Sequence, residues 1–140
     1  MIKTDTSLEG LEKFSANTMP QHIGIKVTKL ESNKVHGTMP VDSRTHQPMG
    51  ILHGGASAAF IETLGSVGSA LIVDTKEYAP VGLEVNANHV RGVKSGLVYG
   101  TAEIVHCGKK THVWKVDVTN EAGKLVCTGR LTVMIVPIEK

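Results

Sequence analysis

Two hydrophobic periods divide the chain. From residue 53 to residue 73 the sequence HGGASAAFIETLGSVGSALIV carries a single charged residue, Glu62, and its bulky residues recur at three- and four-residue intervals. This spacing predicts one long apolar helix. Elsewhere apolar and polar residues alternate, and this period predicts strands. The alternating runs are Ile23 to Val27, Val35 to Val41, and four later runs at about 81–91, 97–106, 111–119 and 125–136.

Polar connections separate these runs. Thr6 and Glu9 have the spacing of a capping box, which predicts a short N-terminal helix. Residues 31–33 predict a hairpin turn, and the later strands are joined by turns so short that antiparallel neighbours are expected. Two loops, 42–52 and 74–80, flank the apolar helix. We therefore predict one α+β domain over residues 1–140, with an antiparallel sheet wrapped around the long helix.

The apolar helix has two unlike faces when successive residues are placed about 100° apart. The bulky face holds Phe60, Leu64, Val67 and Leu71, and the face around Glu62 holds Gly55, Ala58, Ala59, Gly65, Ser66 and Ser69. A carboxylate there must be hydrated, paired or neutralised. Two interpretations follow: Glu62 is solvated or paired locally, or it is the acid, base or nucleophile of a substrate cavity.

Composition narrows the function classes. The 140 residues carry a formal charge of +2, and no long basic run is present, so nucleic-acid binding is not indicated. The polar N-terminus and the short apolar stretch suggest neither a signal peptide nor a membrane span, and we expect a cytosolic protein. Cys107 and Cys127, which could be strand neighbours, are expected to be free thiols.

Other catalytic motifs are missing. The seven histidines show no metal-ligand spacing with acids or cysteines, so neither a metal nor a cofactor is expected. The sequence has no G-x-S-x-G elbow, Walker loop or dinucleotide fingerprint. Glu62 is therefore the best candidate catalyst, and the helix start at Gly54 and Gly55 offers backbone N–H groups that favour negative charge.

These residues resemble a known family. The string from Gln47 to Gly55, QPMGILHGG, followed by Glu62 and Ser66, resembles hotdog-fold acyl-CoA thioesterases of the 4-hydroxybenzoyl-CoA and phenylacetate-pathway type. Within that group the chain is most similar to bacterial thioesterases acting on 1,4-dihydroxy-2-naphthoyl-CoA and on aryl-carrier-protein thioesters. The similarity covers most of the chain, including MPVDSRTHQP and GLEVNANHVR.

The resemblance implies roles for individual residues. Glu62 would be the nucleophile or general base, and the Gly54 N–H, with that of Gly55, would bind the thioester oxygen. Gln47 would reach the thioester or product, often from the partner subunit's loop, and Ser66 would hold the lytic water. His53 would orient the loop or the thioester. Each of two residues also has a purely structural alternative: His53 can cap the local backbone, and Gln47 can stabilise a turn.

The resemblance also implies a coenzyme A site and an assembly. Gly82, the run His89, Val90, Arg91 and Gly92, and the turn His106, Cys107, Gly108, Lys109, Lys110 and Thr111 occupy the positions that line the pantetheine and the phosphates in relatives. Guanidinium and ammonium groups suit phosphates, although cations at strand ends are often only solvated. The implied assembly is a homodimer or a homotetramer of paired dimers.

The implied function is a cytoplasmic hydrolase that releases acid and thiol from an aromatic or hydrophobic acyl-CoA. Release of 1,4-dihydroxy-2-naphthoate in menaquinone biosynthesis is the role that the resemblance suggests. Two alternatives stay open: a hydratase or dehydratase on the same scaffold, using a histidine and carboxylate pair, and a non-catalytic acyl-CoA-binding protein.

Overall fold

A computed structural model describes all residues from 1 to 140. Six antiparallel strands form one sheet, and one long helix lies against it. In chain order the elements are α1 (Leu8–Phe14), α2 (Met19–His22), β1 (Lys26–Glu31), β2 (Lys34–Val41), α3 (Gly54–Ile72), β3 (Tyr78–His89), β4 (Gly96–Cys107), β5 (Thr111–Thr119) and β6 (Leu125–Pro137). The predicted α+β architecture, a sheet around one long helix, is confirmed.

The strand order, β1-β2-β4-β5-β6-β3, corrects the predicted meander. Strands β4, β5 and β6 are consecutive neighbours, but β3 pairs with β6 at the far edge and not with β4. The connection over residues 90–95 runs across the end of the sheet, where the Val90 N–H donates to Val126 O and the Leu52 N–H to Val93 O. The outer edge of β3 consequently has no partner strand within the chain.

The N-terminal region also differs in detail from the prediction. The helix α1 is capped by Ser7, whose hydroxyl accepts from the Gly10 N–H, while the Thr6 hydroxyl donates to Lys3 O. Residues 19–22, just before the first strand, form the unpredicted short helix α2, with Pro20 in its first turn. Pro20 has the fixed φ that a helix start accepts.

The packing of α3 corrects the predicted division of its faces. Phe60 and Leu64 are buried as expected, but Gly65 and Ser69 also face the sheet. The Trp114 ring packs against the helix there and leaves room only for small side chains. A Cβ at Gly65 would lie 3.2 Å from the Trp114 ring. Val67 is instead only partly buried, on the side that carries Glu62.

Two further properties of the core bear on the sequence-based expectations. α3 is long and apolar enough to span a membrane by length and composition, yet its buried face packs against the sheet in the protein core. Cys107 and Cys127 are both free thiols, as expected. They are not strand neighbours, however, because β5 lies between β4 and β6.

Candidate active site

The carboxylate of Glu62 borders a cavity of about 360 Å³, which we call the carboxylate cavity. Ser66 lies one helical turn further along and lines the same space, together with Ala59 and Val67. Glu62 takes part in no ion pair and its side chain is exposed at the cavity. The predicted space beside Glu62 is thus present, and the carboxylate is free to act on a ligand.

Gly82 of β3 lies directly against Glu62. A Cβ at Gly82 would collide with the Glu62 Oε1 atom. Only a glycine therefore allows the carboxylate to approach this edge strand so closely. The resemblance predicted that Gly82 lines the pantetheine path. The structure shows in addition that Gly82 contacts the Glu62 carboxylate.

The start of α3 offers one free backbone donor. His53 caps the helix, and its Nδ1 accepts the Gly55 N–H at 2.7 Å. The Gly54 N–H makes no hydrogen bond within the chain. His53 therefore caps the local backbone, which was one of the two roles predicted for it from sequence. Because the Gly55 N–H is used by this cap, the Gly54 N–H is the one that stays available to an oxyanion.

A second cavity, of about 400 Å³, lies at this helix start, and we call it the helix-start cavity. It is lined by Gln47, Gly54, Ser57 and the run His89, Val90, Arg91 and Gly92, along with Ile51, Leu52 and Val126. The His89 Nε2 lies 2.8 Å from the point where a Cβ at Gly54 would stand, so Gly54 makes room for the ring. The Arg91 Nε donates to Leu125 O at 3.3 Å.

The loop that carries Gln47 is tied down by local hydrogen bonds. The Gln47 Oε1 accepts the Met49 N–H, which is the turn-stabilising role considered from sequence. Upstream, Asp42 and Arg44 form an ion pair at 2.7 Å, and the guanidinium lowers the pKa of Asp42 to about 2. The buried Thr45 hydroxyl donates to Pro40 O at 2.7 Å. These contacts hold the Gln47 loop beside the helix start.

The predicted phosphate turn borders a third cavity, of about 510 Å³, at the other end of α3. Cys107, Gly108 and Lys109 line it, with Tyr78 and Ile135. The turn is closed by the Gly108 N–H, which donates to Thr111 O at 2.9 Å. His106 lies against Gly108, and Lys110 accepts the Ile135 N–H through its carbonyl oxygen.

A buried polar cluster joins this turn to the helix. The Trp114 Nε1 donates to Ser69 Oγ at 2.9 Å, and Ser69 Oγ lies 2.9 Å from the His112 Nδ1. Burial, followed by the nearby charge of His106, lowers the pKa of His112. The cluster fixes β5 against α3, and the burial of His112 within it disfavours the charged imidazolium.

One chain does not bring all the predicted residues together. Glu62 and Ser66 share the carboxylate cavity, whereas Gln47, Gly54 and Arg91 lie around the helix-start cavity. Glu62 stands eight positions after Gly54 along the helix, a rise of about 12 Å. Within a single chain, the Gly54 N–H and the Glu62 carboxylate therefore line different cavities, about two helical turns apart.

Sequence reasoning missed the outer wall of the carboxylate cavity. Phe14, Thr18, Met19 and Pro20, from the N-terminal region, line it opposite α3. The signal was present as apolar residues in an otherwise polar segment, but nothing in the sequence showed that this segment lies beside Glu62. The tertiary placement alone reveals the relationship.

Comparisons with known proteins agree with this architecture. Residues 49–127 match the family model described as Thioesterase superfamily. The proofreading thioesterase EntH of Klebsiella pneumoniae is 46% identical over 129 residues, covering 92% of this chain and 93% of EntH. The 1,4-dihydroxy-2-naphthoyl-CoA hydrolase of Escherichia coli is 40% identical over 133 residues, covering 95% of this chain and 97% of that enzyme.

A solved structure is similar over nearly the whole fold. The crystal structure of a mutant of thioesterase PA1618 from Pseudomonas aeruginosa superposes with a TM-score of 0.95 at 44% identity, covering 98% of this chain and 99% of that one. The match includes the long helix and the sheet that packs against it. The chain therefore belongs to the hotdog-fold thioesterase superfamily and is a thioester hydrolase.

Proposed function

We propose that this thioesterase hydrolyses an aromatic or otherwise hydrophobic acyl-CoA to the free acid and coenzyme A, with Glu62 as the catalytic carboxylate. The observation that carries the proposal is the unpaired Glu62 carboxylate at the rim of the carboxylate cavity, one turn from the Ser66 hydroxyl. An unpaired carboxylate beside a cavity with apolar walls is available to a substrate rather than used for stability.

Two routes use this carboxylate. As a nucleophile, a Glu62 oxygen attacks the thioester carbon, the C–S bond breaks, and water then hydrolyses the resulting anhydride. As a general base, Glu62 takes a proton from water held by Ser66, and the water oxygen attacks the same carbon. The tetrahedral intermediate then collapses with cleavage of the C–S bond, and the proton taken by Glu62 passes to the leaving coenzyme A thiolate. In both routes negative charge develops on the carbonyl oxygen, where a backbone N–H such as that of Gly54 stabilises it.

The separation between Glu62 and Gly54 supports a site shared between two copies of the chain. β3 is an edge strand of 12 residues with exposed apolar side chains, among them Val81 and Leu83 at 48% and 58% exposure. An uncovered apolar edge of this length favours pairing with another strand. A homodimer, or a homotetramer built from such dimers, would cover it.

Antiparallel pairing of two β3 strands would also complete the chemistry. His89 ends β3, and Gly82 lies seven residues before it, roughly 20 Å away along the strand. A two-fold axis near Val85 and Asn86 would put Gly82 of one copy beside His89 of the partner subunit. Within each chain, Glu62 contacts Gly82, and Gly54 contacts His89. The pairing would therefore bring the Glu62 carboxylate of one copy to face the Gly54 N–H and the Gln47 loop of the other.

The same pairing would assemble a coenzyme A site. Within one chain Arg91 lies beyond one end of β3, whereas Lys109 and Lys110 lie near its other end, beside Ile135. In an antiparallel dimer, Arg91 of one copy and the lysine turn of the other would be at the same end. Their cations would bind the nucleotide phosphates, while Gly82 and the His89–Gly92 run line the pantetheine path.

The acyl group is proposed by analogy with relatives. The E. coli relative is named for 1,4-dihydroxy-2-naphthoyl-CoA, and we take this thioester, a menaquinone precursor, as the first candidate substrate in the cytoplasm. The resemblance to thioesterases acting on aryl-carrier-protein thioesters makes an aryl group on a carrier protein the second candidate. Both substrates share a flat aromatic acyl group joined through a pantetheine thioester.

A hydrolysis screen tests the proposal. The purified protein is incubated with acetyl-, decanoyl-, benzoyl- and 1,4-dihydroxy-2-naphthoyl-CoA and with a benzoyl carrier protein, and thiol release is followed with a thiol reagent. We expect the highest kcat/KM for an aromatic thioester. Release confined to acetyl-CoA would refute the proposed substrate class, and faster release from the carrier protein than from the CoA esters would overturn the preference for coenzyme A.

A further inference from the structure

We infer that the N-terminal segment of residues 8–20 forms the wall of the acyl-group site and selects neutral, apolar acyl groups. This inference rests on the proposed function, because it places the acyl group beside Glu62. The segment comprises α1, the connection after it and the beginning of α2. We call it the N-terminal wall.

The first observation is that the carboxylate cavity adjoins a second cavity beneath the N-terminal wall. A neighbouring cavity of about 280 Å³ lies between α1 and β1, lined by Leu11, Ile25 and Val27 among others. The two cavities share Phe14, Ser15, Pro20, Thr63 and Val67 as lining residues. A group held at Glu62 can therefore extend under α1, into a combined space of the size that small-molecule sites commonly have.

The second observation is the unexplained exposure of apolar side chains in the wall. Phe14 is 87% exposed and Met19 is 60% exposed, and both line the carboxylate cavity. Neither α1 nor α2 contains a buried residue, so these side chains contribute little to the protein core. Leaving a phenyl ring in water forgoes the free energy of its burial, which contact with an apolar ligand would recover.

The third observation concerns the polar groups around the combined space. The Thr63 hydroxyl donates to Ala59 O at 2.7 Å, which satisfies it within the helix. At the rim, Glu12 pairs with Lys26 at 3.8 Å. Glu9 adds a second carboxylate to the rim, although it pairs with Lys13 at 3.1 Å. The Thr63 hydroxyl thus asks the acyl group for no hydrogen bond, and Lys26, the one lysine that lines the combined space, is already paired with Glu12. The combined space therefore offers no unpaired cation to an acyl group that ends in an anion.

Substituting Phe14 tests the inference. In Phe14→Ala the wall loses its largest side chain, and kcat/KM for benzoyl- and decanoyl-CoA should fall about tenfold relative to acetyl-CoA, whose small acyl group does not reach the wall. Phe14→Trp narrows the space and should reduce decanoyl-CoA turnover more than benzoyl-CoA turnover. Tyr99→Ala, which removes an exposed aromatic side chain from β4 away from these cavities, is the matched control and should leave the acyl preference unchanged.

The outcomes separate this inference from the proposed function. If the unaltered enzyme releases thiol from none of the thioesters, the proposed function fails. If it is active but Phe14→Ala changes every acyl-CoA by the same factor, or behaves like Tyr99→Ala, the N-terminal wall does not select the acyl group. A changed oligomeric state on size-exclusion chromatography, with the acyl preference intact, would assign Phe14 to a subunit contact and overturn the inference.

Discussion

The Glu62 carboxylate lies over the backbone of Gly82, so closely that no side chain fits at residue 82 without displacing Oε1. The contact joins the central helix α3 to the edge strand β3. The missing side chain at residue 82 leaves the carboxylate room to stand directly beside a ligand that follows the strand. The proposed chemistry depends on this placement, since small displacements of a reacting group are costly.

Gly82→Ala should therefore lower kcat by about a hundredfold, because the added methyl group pushes the carboxylate out of its position. Steady-state hydrolysis of the best thioester from the screen measures this. Ala122→Val, which adds methyl groups in the exposed turn before β6 and away from the cavities, serves as the control. A Gly82→Ala enzyme with normal kcat would show that the close approach of Glu62 to β3 has no part in turnover.

The shared site predicts complementation between two inactive variants. Glu62→Gln and Gln47→Ala chains are coexpressed with different affinity tags, and the mixed dimer is isolated with both tags. If each site takes Glu62 from one copy and Gln47 from the other, one of the two sites is intact, and the mixed dimer should regain about half of the normal activity.

Sites contained within single chains give the opposite result. Each site of the mixed dimer would then carry one substitution, and the activity would remain that of the separate variants. The two purified single-variant enzymes, mixed without subunit exchange, provide the baseline for this comparison.

Arg91 should act at the nucleotide end of the substrate. Arg91→Ala removes a cation assigned to the phosphates, so it should raise KM for a coenzyme A ester about tenfold and leave KM for the matching pantetheine ester unchanged. Lys29→Ala, a cation removed from the exposed face of β1, is the control. Equal changes for both esters would remove Arg91 from the phosphate site.

The buried His112 cluster predicts a pH-dependent stability. Burial lowers the pKa of His112 in the folded protein, so below about pH 6.5 the unfolded chain binds a proton that the folded chain resists. Its contribution to the free energy of unfolding therefore declines as the pH falls through this range. Melting temperatures measured from about pH 7 to about pH 5 should fall less steeply in His112→Asn than in the unaltered protein. Parallel curves would contradict this assignment.

The sequence predicted the long helix, the strands and the antiparallel sheet because hydrophobic period and short turns are local signals. It misplaced β3, whose pairing with β6 depends on a connection that crosses the end of the sheet. The same limit applied to Gly65 and Ser69, which helical geometry grouped with Glu62 but which pack on Trp114. Local patterns do not reveal which partner an element will meet.

For the candidate site, too, some features were predicted from the sequence and others became visible only in the structure. The resemblance carried by Gln47, Gly54, Glu62 and Ser66 predicted thioester hydrolysis from sequence, and the roles it implies for these residues stay predictions. Their division between two cavities, and the His53 cap that occupies the Gly55 N–H, required coordinates. The wall around Phe14 likewise depends on tertiary packing, since α1 carries no motif of its own.

The most direct test of the account is the rate of thioester hydrolysis by Glu62→Gln. Gln keeps the size of the side chain but is a poor base and nucleophile, so kcat should fall by about 10²–10⁴-fold while the affinity for a non-hydrolysable thioether analogue and the melting temperature stay unchanged. Glu103→Gln, an exposed carboxylate on β4, controls for loss of charge. A near-normal kcat for Glu62→Gln would contradict the assignment of Glu62 as the catalytic group.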